Sequence, residues 1–149
     1  MAAGKALRAT ALAALAAGAF LSLAAADLGL RSRGALLEAE KYEAWAAQPA
    51  LKAAALEAEF GSSAPIAAAG AAPEAAERQR DLLAARREFA QSQSPAKLAY
   101  IWYKTAAEDF YFPGNPWAAK ARARLPGALA AWRAELAARG ISAEAWMTN

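Results

Sequence analysis

Three groups of side chains in this sequence could do chemistry. They are the adjacent carboxylates Glu108 and Asp109, the basic residues Lys120, Arg122 and Arg124, and a dense set of aromatic rings. A carboxylate pair can share a proton or hold a cation. Neighbours on a helix, however, point roughly 100° apart and cannot converge on one reacting atom. The chain has no histidine and no cysteine. That removes the commonest general base, the commonest metal ligand, every thiolate nucleophile and every disulfide. The serines fall in caps and linkers with no base to activate them, and no glycine-rich phosphate loop is present. The sequence predicts no enzyme activity, no catalytic residue, no cofactor and no metal.

The basic residues give an equally plain reading. Arg122 lies two positions from both Lys120 and Arg124, and such residues splay apart on a helix. The net charge is only +3, with lysine and arginine interleaved with acids along most of the chain. This is the pattern of a solvated mixed-charge surface, and no nucleic-acid partner is expected.

The aromatic residues are the distinctive feature. Seven of the fourteen lie between Lys97 and Trp117: Tyr100, Trp102, Tyr103, Phe110, Tyr111, Phe112 and Trp117. They could form a core, a contact face or a cage for a small ligand. On a helix starting near Pro95, Leu98, Trp102, Thr105 and Phe110 fall along one side. Tyr100, Tyr103, Ala107 and Tyr111 fall along another. The first set, with Trp132, is assigned to the core. Tyr100, Tyr103, Tyr111 and Trp117 are assigned to a surface for a protein partner or for membrane headgroups.

The elements that position these rings are helices. Fifty of 149 residues are alanine, valine is absent, and there are three isoleucines. Alanine has the best helix propensity, and strands prefer the β-branched residues missing here. The predicted fold is all-α, with an N-terminal membrane-spanning or signal helix, a helical arm and a small antiparallel helical bundle. Few large apolar residues remain for a core, so partners are expected to add stability.

Residues 1–26 form a signal anchor or signal peptide. Lys5 and Arg8 precede an uncharged run from Ala9 to Ala26. At ~1.5 Å per residue this run is just short of a ~30 Å hydrocarbon core. Ala24-Ala25-Ala26 also offers a small-x-small cleavage pattern before Asp27. Either use would export the remaining chain, to a periplasm or an organelle lumen. A buried cytosolic helix and an organelle presequence are the other options.

Residues 27–60 form the helical arm, with Leu37, Lys41, Ala44 and Gln48 on one face. Pro49 interrupts it and starts a short helix ending at Phe60 before Gly61. Residues 61–73 are a flexible alanine, proline and glycine linker. Residues 74–149 are the bundle domain. Its first helix carries an apolar stripe of Leu82, Ala85 and Phe89. Ser94-Pro95 caps the aromatic helix, at whose end Glu108 and Asp109 are expected to meet a basic residue. Phe112-Pro113-Gly114-Asn115 reads as a type II turn, with Asn115 capping the next helix. Lys120 and Arg124 share a face of that helix, Trp117, Ala121 and Leu125 another, and Pro126-Gly127 breaks or kinks it. Leu129, Trp132 and Leu136 continue its stripe to a C′ glycine, Gly140. The last residues could tuck Trp146 onto the bundle.

Together these features point to a membrane-anchored accessory or structural subunit that binds other proteins of a membrane complex. A soluble exported adaptor, cleaved after Ala26, is the alternative.

Overall fold

A computed structural model describes the backbone of residues 2–68 and 72–142, and the side chains of residues 10–61 and 72–142. The expectation for Trp146 lies outside the described residues. The described chain is all-α. Its helices are α1 (Ala2–Ala47), α2 (Pro49–Ala68), α3 (Pro73–Ser92), α4 (Pro95–Lys104) and α5 (Pro116–Ala138), with a π turn (Thr105–Asp109) prolonging α4.

α1 runs without a break from the apolar N-terminal segment through Gly34 to Ala47. Asp27 does not interrupt it, because Arg31 stands one turn on and pairs with it at 2.8 Å. Pro49 ends α1, since a proline has no N–H to continue the ladder, and it opens α2 at the first helical position. α2 then passes through Gly61 to Ala68, so the helix enters the stretch expected to be a linker. One glycine costs a helix interior only about 1 kcal/mol, which the strong helix formers of residues 50–58 can offset.

The core crosses the expected boundary between arm and bundle. Ala35, Leu36 and Ala39 of α1 share one cluster with Tyr100, Tyr103, Ala106, Ala107, Ala121, Ala128 and Trp132. The C-terminal half of α1 is therefore a member of the bundle with α4 and α5, while α2 and α3 pair mainly with each other. The buried face of α1 is Ser32, Ala35, Leu36 and Ala39, and Leu37, Ala44 and Gln48 face solvent. Alanines with no exposed surface (39, 106, 107, 118 and 121) let the helices approach closely enough for the rings to fill the remaining space.

Two local predictions hold in detail. Gly114 has φ +84°, and the Asn115 N–H donates to the Phe112 carbonyl at 3.1 Å, closing the turn. At the end of α5 the Ile141 N–H reaches the Leu136 carbonyl and the Gly140 N–H reaches that of Ala137, both at 3.0 Å. With Gly140 at φ +70°, these form a Schellman motif. Pro126 does not break α5, which continues through it to Ala138.

Two glycines should respond with opposite signs. Gly140 sits in the left-handed region, and Gly34 lies inside α1 with open space where a Cβ would stand. Gly140→Ala should lower stability by about 1 kcal/mol, and Gly34→Ala should raise it by about 0.5–1 kcal/mol. Thermal unfolding of the two variants in detergent checks both; equal signs would contradict the backbone assignment.

Candidate functional site: the end of the aromatic helix and its loop

α4 begins on a capped proline. The Ser94 hydroxyl accepts the Lys97 N–H at 3.0 Å and donates to Glu135 of α5 at 2.5 Å. From there Ala96, Ala99, Tyr100 and Tyr103 turn inward. Tyr100 is 5% exposed and Tyr103 is fully enclosed, so both belong to the core and not to a partner surface. The reason is the position of α1 and α5, which flank this side of α4. Trp102, expected at the centre, is only partly buried at the margin of the same cluster. Tyr100 stacks on Trp132 with centroids 5.4 Å apart. Tyr111 and Trp117 remain at the surface, 52% and 36% exposed.

Burial of Tyr103 forces a partner on its hydroxyl. It donates to Glu43 of α1 at 2.6 Å, and Glu43 also accepts from Arg124 of α5 at 2.9 Å. Desolvation first, then the hydrogen bond and charge of Glu43, hold the phenol well above its ordinary range, while Arg124 opposes this. Lys120 pairs with Glu40 at 2.7 Å one turn away. Lys120 and Arg124, which share a face of α5, thus form a seam between α5 and α1.

The helix end is the most unusual part of the site. Its last carbonyls have no partner within the helix. Ser32 of α1, completely buried, donates to the Ala106 carbonyl at 3.0 Å. Arg122 donates to the Ala107 carbonyl at 3.0 Å and also lies 5.0 Å from the Tyr111 ring. The Asn115 amide donates to the Phe110 carbonyl at 3.0 Å while its oxygen caps α5, accepting from Trp117 N–H. Sequence reasoning found Asn115 but missed Ser32. The available signal was a small polar residue in helical register with Leu36 and Ala39. Glu108 and Asp109 face solvent, and among the described residues neither makes an ion pair.

Beyond the turn the loop folds back along α1. Phe112, Asn115, Pro116 and Trp117 face Ala25, Ala26, Gly29 and Leu30 across a shallow groove. A Cβ on Gly29 would stand 3.7 Å from the Phe112 ring. Arg33 lies 5.6 Å from the centre of the Trp117 ring.

A second concavity of about 420 Å³ lies beside α1, lined by Lys41, Tyr42, Trp45, Lys52, Leu56 and Phe89, among others. Its cations are already engaged. Lys41 pairs with Glu38 and covers the Tyr42 ring at 4.5 Å. Burial works to lower the Lys41 pKa, but Glu38 and Tyr42 outweigh it and the net shift is upward. Lys52 donates to the carbonyls of Gln91 and Gln93, both at 2.7 Å, and burial lowers its pKa. Among the described residues no group of three acidic, histidine or cysteine side chains could hold a metal ion.

Ser32→Ala leaves a buried carbonyl without its donor and should cost about 1–3 kcal/mol. Ser22→Ala, on the exposed face of α1, should be near neutral. Thermal unfolding decides, and equal losses would refute the capping role. For Tyr103 the folded pKa lies above the unfolded value of about 10, so its contribution is complete below about pH 10. It is lost as the pH rises further, because the unfolded phenol then ionises and the folded one does not. Melting temperatures from about pH 9 to about pH 11.5 should fall less steeply in Tyr103→Phe than in the parent. The chain matches no protein family, no curated protein and no solved structure.

Proposed function

We propose that this protein is a membrane-anchored, non-enzymatic accessory or structural subunit whose helical domain binds another protein of a membrane complex. The observation that carries the reading is a pair of faces that the fold leaves uncovered. α1 contains a helix long and apolar enough to cross a membrane, and none of its apolar window is buried. α3 packs on α2, with Leu83 beside Phe60 and Arg87 paired to Glu57, yet leaves Leu82 and Phe89, the latter at the rim of the second concavity, 60% and 67% exposed. Residues 82, 85 and 89 repeat at helical spacing, the form of an apolar stripe that docks on a partner helix or groove.

The tyrosines first assigned to partner binding give way to α3 because two of them fill the core. Lys5 and Arg8 ahead of the span favour the N-terminus on the cytoplasmic side, with the helical domain in a periplasm or organelle lumen. Release by cleavage after Ala26 is the second reading, resting on Ala24-Ala25-Ala26 and on the fact that an N-terminal signal has the same apolar character. Continuity of α1 favours retention, since cleavage after Ala26 would cut the helix in mid-course and strip Ala25 and Ala26 from the groove, while Gly29 and Arg33 would stay against Phe112 and Trp117.

Intact mass of the chain from carbonate-washed membranes separates the readings. A full-length chain in the membrane fraction is expected; a soluble chain beginning at Asp27 would overturn the anchor. For the protein-binding face, Leu82→Asp with Phe89→Asp should leave the melting temperature and membrane retention unchanged. The same pair should abolish cross-links from α3 to its neighbour in native membranes. Persistence of those cross-links would place the interface elsewhere.

A further inference from the structure

We infer that the loop from Phe110 to Trp117 is an interfacial collar, lying in the lipid headgroup layer around the emerging α1 and setting the depth of that helix. The inference rests on the reading of α1 as a membrane span. α1 is one unbroken helix, so depth along the span fixes height along the domain. Ala9 follows the last charge of the leader. About twenty residues at ~1.5 Å cross a ~30 Å hydrocarbon core, which puts the boundary near Leu28, with Asp27 at its edge and paired to Arg31. The headgroup layer adds roughly 5–8 Å on that side, or about four to five further residues, up to Arg33. A tilt of ~20° moves the boundary by about one residue.

The loop meets α1 within this interval. The Phe112 ring is level with Gly29, and Trp117 is level with Arg33. The π turn is held at Ser32. The height of the loop is fixed by the core, through Ser32 and the packing of α4 and α5 on α1, and not by the apolar span itself. The residue types are those that favour the interface. Tryptophan and tyrosine pair an apolar body with a polar edge, and long basic side chains reach outward from a span. Trp117 and Tyr111 are exposed, and each has a guanidinium over its ring, Arg33 and Arg122 respectively.

Charge selects the kind of contact. Arg31 and Arg33 of α1, and Arg122 held at the Ala107 carbonyl, lie in the segments at this height, opposed by Asp27, Glu108 and Asp109. Three cations against three anions give no excess for capture by an anionic surface, where each basic residue adds only about 1 kcal/mol. The collar therefore recognises the interface of any phospholipid bilayer through its rings, without a demand for acidic lipid.

The chain has no cysteine, so single labelled cysteines can be placed at will. The full chain is reconstituted in phosphatidylcholine vesicles with bimane at Leu15→Cys, Pro113→Cys or Ala137→Cys, and quenched by lipids spin-labelled at the headgroup or mid-chain. The Leu15 label should be quenched by mid-chain lipid, the Pro113 label by headgroup-labelled lipid, and the Ala137 label by neither. Ala119→Cys, on the first turn of α5, repeats the loop measurement without altering the turn. Adding Phe112→Ala and Trp117→Ala should reduce headgroup quenching at 113 while leaving Leu15 unchanged. Quenching at Leu15 but not at 113 or 119 would overturn the collar and leave the anchor standing. Absence of quenching at Leu15 would overturn the anchor and the collar with it. Loop quenching that requires acidic lipid, or that is unaffected by loss of both rings, would overturn the assignment to the aromatic side chains.

Discussion

The carbonyl oxygens at the end of the aromatic helix are the constraint around which this fold is organised. A helix that stops inside a packed domain leaves its last carbonyls without partners, and water cannot reach all of them. Here the helix widens into a π turn and three outside donors arrive: Ser32 from α1, Arg122 from α5, and Asn115 from the turn between. Each donor comes from a different segment, so the same hydrogen bonds that satisfy the backbone also fix how α1, α4 and α5 meet. Asn115 serves twice, closing one helix and opening the next.

This arrangement explains why the bulky side chains concentrate where they do. With so much alanine, the helices approach closely at small residues, and the few large rings must fill what remains. Tyr103 and Trp132 do so at the centre, and burying a phenol there brings Glu43 and Arg124 into one network across three helices. The exposed ion pairs of that seam add little individually, in keeping with their solvent access. Their value is in orienting α5 so that Arg122 reaches the π turn.

The unbroken α1 links this core to the apolar N-terminal segment. A hinge at Gly34 would have separated them. Instead Leu36 is locked in the core while Leu15 and Phe20, on the same rod, are fully available to an apolar surrounding. Helix α1 thus ties the height of the loop to any membrane it enters, while the α2–α3 pair stands to the side with its apolar stripe free.

Composition alone determined that the protein is helical, because alanine without β-branched residues leaves strands no support. Local chemistry determined the caps, the type II turn and the Schellman end, since Ser94, Gly114, Asn115 and Gly140 act through backbone geometry within a few residues. The sequence also showed the candidate span, as charge and apolarity are properties of the segment itself. What it did not determine was which face of each helix meets which neighbour. Tyr103 and Trp102 look equivalent by spacing, and only the positions of α1 and α5 made one central and the other marginal. Leu82 and Phe89 form a stripe as regular as any core stripe, yet α2 covers the other side of their helix. Periodicity records that a face is apolar; burial depends on what the rest of the chain brings against it. Ser32 was silent for the same reason, because its carbonyl partner lies 74 residues away.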